Sequence, residues 1–202
     1  EVWGDYVRSF GYGRKLDSDF LGEGPGYVPD REFYDKRYRG SWSSLTVLSL
    51  SIGQGELGCT PLQMANLAAT VANRGYYYIP HIIKQIEGQD SIDRRFYEKQ
   101  YTKVDPRYFE PIVEGMWRGV NVPGAGTSWR AYLPGLDVCG KTGTAQNPHG
   151  ADNSTFFCKP LDMIGFLREK RFGNQQREIS IDMPCLFKHI VQLTLHLLPD
   201  RI

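Results

Sequence analysis

Apolar side chains recur at three- and four-residue steps in two stretches of this 202-residue chain, and each stretch predicts a helix. The first opens at Thr60-Pro61-Leu62-Gln63, with an N-cap hydroxyl, proline at the first helical position and glutamine at the third. That combination satisfies the free N–H groups of a helix start. The helix is predicted to run to Arg74 and stop at Gly75, a residue suited to the left-handed turn that ends helices. Gln63, Asn66, Thr70 and Asn73 follow a 3-4-3 spacing and form one narrow polar stripe on a small, apolar surface. Such a helix is predicted to be mostly buried, its alanines letting other elements approach closely. The second helix begins at Asp105-Pro106 and carries Phe109, Ile112, Val113, Met116, Trp117 and Val120 on one face, the pattern of a helix packed on a sheet.

The remaining stretches carry weaker patterns. Residues 1–40 space Gly and Pro so closely that they predict successive turns, with one helical turn around Trp3 to Phe10 and with Tyr34, Tyr38 and Trp42 as loop anchors. Residues 45–52 interleave Leu, Val and Ile with Ser and Thr before Gly53-Gln54-Gly55, predicting a buried extended segment that ends in a tight turn. Residues 76–86 are β-branched and aromatic and predict a strand or extended arm with Pro80 at its edge. Residues 88–102 are polar and charged and predict an exposed hairpin or loop. Pro123-Gly124-Ala125-Gly126 predicts a turn ahead of an edge strand, and the whole order suits an α+β domain whose helices cover a sheet. No period of 20 to 50 residues repeats, which excludes solenoids and propellers.

Composition narrows the function classes. Hydrophobic residues at 41% and charged residues at 23% are those of a globular chain. With 24 basic and 23 acidic side chains the net charge is +1, against a dedicated nucleic-acid binder. The four cysteines, Cys59, Cys139, Cys158 and Cys185, contain no C-x-x-C pair, so a zinc or redox site has no support, and one disulfide stays open. His81, His149, His189 and His196 have no metal-ligand spacing. No apolar run reaches the 18 or so residues needed to span a bilayer, and no signal segment opens the chain. The first residue is Glu1, so the chain is expected to be a piece of something longer, with any anchor or export signal in the remainder.

The chemistry concentrates at Cys139-Gly140-Lys141-Thr142-Gly143-Thr144-Ala145-Gln146-Asn147-Pro148-His149-Gly150. Two machines fit it. Gly135 to Thr142 satisfies the phosphate-loop pattern G-x-x-x-x-G-K-[ST], which needs a buried strand before it and a helix after it. Pro134 disqualifies the preceding segment as a central strand, while Gly143, Asn147-Pro148 and Gly150 would break a following helix. A Lys-Thr-Gly strand of the serine enzymes that bind penicillin asks only for extended backbone, a cation, hydroxyls and a glycine where a ligand comes close.

With these residues placed, the chain resembles the transpeptidase domain of class B penicillin-binding proteins, nearest to the penicillin-binding protein 2 branch of cell elongation. The resemblance rests on Phe10-Gly11-Tyr12-Gly13 with the following Gly-Glu-Gly-Pro-Gly turn, on Ser51-Ile52-Gly53-Gln54-Gly55, on Thr60-Pro61-Leu62-Gln63-Met64-Ala65-Asn66, on Ala72-Asn73-Arg74-Gly75 and Pro80-His81, and on the run from Lys141 to Gly150. It implies an antiparallel sheet covered by helices, part of the penicillin-binding protein/serine β-lactamase-like fold. It implies acyl transfer that cross-links peptidoglycan, with no cofactor and no metal. The expected ligand is a D-Ala-D-Ala stem peptide or a β-lactam. Other cell-elongation proteins are expected partners, nucleic acid is not, and the full-length protein is expected on the periplasmic face of the inner membrane. Carried over, Lys141 supplies positive charge, Thr142 and Thr144 hold the ligand carboxylate, Gly143 keeps the groove wall flat, and the Thr144 N–H is one of two oxyanion donors.

Two departures limit that reading. No serine in the chain has lysine three places on or asparagine two places on, so Ser-x-x-Lys and Ser-x-Asn are absent, no catalytic residue is assigned, and no acyl-enzyme is expected. The expected domain is therefore residues 1–157, a partial transpeptidase domain whose buried helix loses part of its cover. Residues 158–202 follow as a divergent tail, read either as frameshifted or as a divergent C-terminal helix over residues 186–198. Three other functions stay open: a non-enzymatic cell-wall binding or interaction module, more remotely a phosphate-loop nucleotide-binding protein, and a β-lactamase, which would need its own serine motif.

Overall fold

The computed structural model describes residues 1–89, 91–124 and 126–143 in full, and the backbone of residues 162–167. Among them lie the helices α1 (Val2–Ser9), α2 (Arg31–Tyr38), α3 (Pro61–Ala72) and α4 (Phe109–Asn121). The strands are β1 (Tyr76–Tyr77), β2 (Gln100–Tyr101), β3 (Val138–Gly143) and β4 (Asp162–Leu167). The chain divides into two compact units, one of Glu1–Thr70 with Gly75–Asp105 and one of Val71–Arg74 with Pro106–Ile202.

In the first unit the cap predicted at Thr60 forms. The Thr60 N–H donates to Gln63 Oε1 at 3.0 Å, and the Gln63 N–H donates to Thr60 Oγ1 at 3.2 Å. The stop comes earlier than expected: α3 ends at Ala72, Arg74 already takes a left-handed φ of +60°, and Gly75 follows at φ +107° with its N–H reaching back to the Thr70 carbonyl at 2.9 Å. The polar stripe between these ends is buried, with Gln63, Asn66 and Thr70 each at most 1% exposed. Burial of the amide NH2 groups is tolerable because they are spent on backbone, although the Asn66 Oδ1 is buried without a partner. Gln63 Nε2 donates to the carbonyls of Gly11 at 3.1 Å, Arg14 at 3.0 Å and Pro25 at 2.9 Å, while Asn66 Nδ2 donates to Phe10 at 3.1 Å. The turns of the N-terminal segment are thus fastened to α3, and Ala65, Ala68 and Ala69 lie beneath cover at 0 to 1% exposure. The helix expected to lose part of its cover is largely buried, and residues 10–25 supply the acceptors of its polar stripe.

Several expectations for this unit need correction. Residues 31–38 form a helix: Asp30 accepts from the Phe33 N–H at 2.9 Å, and ion pairs Arg31–Asp35 and Lys36–Glu32 span i,i+4. Tyr34, 2% exposed, stands against Phe33, Tyr38 and Trp42 and donates to Glu56 at 2.7 Å, so it is core and not a loop anchor. Residues 45–52 are neither extended nor buried. They make turns and a 3-10 segment, Leu48–Ile52, with Leu45, Leu48 and Ile52 all more than half exposed and Leu50 alone inside. Their hydroxyls serve the local backbone, as where Ser51 Oγ donates to the Leu48 carbonyl at 2.7 Å, which competes with an extended ladder. The arm after Gly75 is a strand for two residues only, paired antiparallel with β2. Pro80 is fully buried, and Ile92 and Phe96 carry part of the supposedly exposed loop into the core at 6% each.

In the second unit α4 carries Phe109, Val113, Met116 and Val120 inward and leaves Ile112 half exposed, a narrower face than the periodicity suggests. A 3-10 turn over Pro106–Tyr108 precedes it, so the helix starts later than Asp105-Pro106. Strand β3 lies beside α4 and pairs antiparallel with β4, with Val138 opposite Leu167 and Gly143 opposite Asp162. The second strand of this pair thus comes from the stretch expected as tail. Residue Thr144, the rest of the motif to Gly150, Cys158, Cys185 and the proposed helix over residues 186–198 lie outside the described residues. Among the described residues no helix is long and apolar enough to cross a membrane.

Candidate functional site

Strand β3 enters from a dry end and finishes at an open one. Val138 and Cys139 are 1% and 0% exposed and Gly140 is buried, whereas Lys141 and Gly143 are exposed and Thr142 is half-buried. The alternation of an edge strand puts Lys141 and Gly143 on one face and Thr142 on the other. Lys141 Nζ donates to the Thr142 carbonyl at 2.7 Å, a contact at the surface that leaves the ammonium with further donors. Three of the four expected site residues, Lys141, Thr142 and Gly143, therefore share one exposed strand end. Among the described residues β3 has β4 along one edge and no strand along the other.

The register of that strand is fixed from α4. Asn121 Nδ2 bridges the Trp117 carbonyl and the Val138 carbonyl at 2.8 Å each, and Trp117 Nε1 donates to Asp137 Oδ1 at 3.0 Å. Gly119 brings the helix so close that an added Cβ would sit 3.4 Å from the Gly140 carbonyl oxygen. The loop from α4 to β3 is pressed on the helix end in the same way. A Cβ on Gly126 would collide with the Gly119 carbonyl, and the Ser128 N–H donates to that carbonyl at 3.0 Å. This contact delivers Thr127 to the site, its Oγ1 standing 3.5 Å from Thr142 Oγ1. Sequence reasoning did not single out Thr127. It sits in a turn without periodicity, 15 residues from its partner, and only the α4 end brings the two together.

This geometry decides between the two machines. A phosphate loop holds its lysine where a loop enters a helix, with amides converging on an anion. Lys141 instead lies within a six-residue strand, and the nucleotide reading falls. Among the described residues no group of three or more His, Cys, Asp or Glu side chains could hold a metal ion. His81 is tied to the Ile79 carbonyl at 3.0 Å and lies tilted against Phe96, with ring centroids 4.7 Å apart.

A strand end bearing Lys-Thr-Gly, with a helix packed behind it, agrees with the strand reading of the run and not with the phosphate loop. The penicillin binding protein transpeptidase domain matches residues 1–157, and the chain belongs to that family. Among curated relatives it is 29% identical over 151 residues to the peptidoglycan D,D-transpeptidase MrdA of Acinetobacter baumannii, covering 70% of this chain and 21% of that protein. Among solved structures it matches Pseudomonas aeruginosa penicillin-binding protein 2 in complex with WCK 5153 at TM-score 0.58 and 35% identity, over 71% of this chain and 32% of that one. It also matches penicillin-binding protein 2 in its complex with MreC from Helicobacter pylori at TM-score 0.56 and 26% identity, over 69% and 25% of the two chains. The chain thus spans about a fifth of the length of the MrdA relative it matches.

Proposed function

We propose that this chain supplies one wall of the acyl-donor groove in a peptidoglycan D,D-transpeptidase of cell-wall elongation. The observation that carries the reading is the Lys-Thr-Gly run on the exposed end of β3, which among the described residues has no strand along its second edge, where an extended ligand could pair. In this reading Lys141 turns from the Thr142 carbonyl to add positive charge to the groove. The hydroxyls of Thr142 and Thr144 hold the carboxylate of a stem peptide or β-lactam. Gly143 keeps the wall low enough for a ligand backbone, and the Thr144 N–H polarises the scissile carbonyl, a contribution of about 3 kcal/mol for a preorganised donor. Residues 1–157 form the transpeptidase part and residues 158–202 the divergent tail. Elongation proteins are the natural partners, at the periplasmic face of the inner membrane.

The chain contains no Ser-x-x-Lys and no Ser-x-Asn, so by itself it binds without acylating. Titration with an N-acetylated D-Ala-D-Ala peptide, followed by amide chemical shifts, is expected to perturb β3. Perturbations confined to other elements would defeat the groove. Incubation with a fluorescent penicillin is expected to leave no covalent label, and a labelled band would overturn the claim that the nucleophile is absent.

A further inference from the structure

We infer that Thr127 is a second anchoring hydroxyl of the groove, sharing one carboxylate oxygen of the ligand with Thr142. The inference rests on the reading of β3 as the groove wall, and concerns a residue outside the Lys-Thr-Gly run. The two hydroxyl oxygens are 3.5 Å apart, beyond the roughly 2.5–3.0 Å at which one hydroxyl donates well to another. Neither proton is therefore committed to the other side chain. Because half of 3.5 Å is less than the usual O–H···O distance of about 2.8 Å, one acceptor oxygen can lie at full hydrogen-bond range from both. Each hydroxyl carries one donor, and an ionised carboxylate oxygen accepts from two.

The placement of Thr127 is built, although the residue itself is exposed. Gly126 on one side presses backbone to backbone against the end of α4. On the other side Ser128 is 3% exposed, its N–H held by the Gly119 carbonyl and its Oγ without a partner. An unpartnered buried hydroxyl is costly, and it marks a loop held where it is by its contacts and not by its solvation. The Thr127 side chain is therefore carried on a clamped loop, and little ordering remains when a ligand arrives. The carboxylate specificity of the groove is shared between the strand and the α4–β3 loop.

The test compares the affinity of the full chain for an N-acetylated D-Ala-D-Ala peptide with its affinity for the C-terminal amide of the same peptide. Wild type is expected to prefer the free acid. Thr142→Val and Thr127→Val should each reduce that preference about tenfold, the usual effect of losing one hydrogen bond to a charged group, and Thr127→Ser should restore it. A structural role for Thr127 would weaken acid and amide alike and leave the ratio unchanged. If Thr142→Val lowers the ratio and Thr127→Val does not, the inference fails while the groove stands. If wild type shows no preference for the acid, the groove reading fails and takes the inference with it.

Discussion

Replacing Gln63 by glutamate tests the fastening of the N-terminal segment to α3 with almost no change in volume. The Gln63→Glu side chain keeps an oxygen for the Thr60 N–H, so the helix cap survives. What changes is the other terminus, where an NH2 group now donates to the carbonyls of Gly11, Arg14 and Pro25 within 2.9 to 3.1 Å. An ionised carboxylate offers those three oxygens only another oxygen. Two donors serve the three acceptors, so at least two carbonyls lose a partner, the Gly11 contact being buried and the others part-buried, at about 1–3 kcal/mol each, and a charge is left at a site 1% exposed. A loss of at least about 3 kcal/mol at pH 7 follows, a large share of the roughly 5–15 kcal/mol that stabilises a domain. The pH dependence carries a definite sign. Facing carbonyl oxygens in a dry site, the new carboxyl has a folded-state pKa above its unfolded value of about 4.3. Its neutral form donates again, so the variant is least destabilised below pH ~4.3, and stability is lost as the pH rises from there through the raised folded value. Urea unfolding followed by circular dichroism at pH 4 and pH 7 measures both effects. A variant within about 1 kcal/mol of wild type at pH 7 would refute the clasp.

Removing the cap alone should be milder: Thr60→Ala is expected to cost about 1 kcal/mol by the same unfolding assay. In the second unit, Gly126→Ala drives a methyl group into the Gly119 carbonyl, and a loss of about 1–3 kcal/mol is expected in a melt, together with weaker protection of the α4 end in hydrogen exchange. Asn121→Ala leaves the Val138 and Trp117 carbonyls short of a donor, and should cost about 1–2 kcal/mol and loosen β3 amides in the same exchange experiment. Burial first, and then its hydrogen bond to Glu56, push the Tyr34 phenol up from its ordinary value. Because its folded pKa is raised, the stability it contributes is intact below the unfolded value of about 10 and lost as the pH climbs beyond it. Absorbance titration of tyrosinate should give wild type and Tyr34→Phe the same number of phenols ionising at about pH 10, and one more in wild type would refute the shift. Sequencing the encoding DNA across residues 158–202 in independent isolates tests the frameshift reading, which an uninterrupted frame would defeat.

Much of α3 was readable because its signals are local. A cap, a first-turn proline and a stop glycine act within one helical turn, and the buried stripe announced itself by spacing alone. The acceptors of that stripe were not readable, since Phe10, Gly11, Arg14 and Pro25 lie 38 to 56 residues away and offer only backbone oxygens, which every residue has. Residues 31–38 were misread because Gly and Pro on both sides masked a short helix, although Asp30 followed by a run free of both was the available sign. Residues 45–52 were misread because apolar composition was taken for burial, while the serine and threonine hydroxyls turned the backbone back on itself.

The Lys141-Thr142-Gly143 run was legible as chemistry but equivocal as geometry, since the same letters suit a phosphate loop or a strand edge. Local sequence fixes which side chains are at hand. Whether their amides converge on an anion or alternate along a ladder depends on what lies beside them, and α4 and β4 made that choice. Thr127 belongs wholly to the tertiary structure. A threonine in a turn means nothing until a helix end presses its loop against a strand 15 residues on, and only then do two hydroxyls face one another.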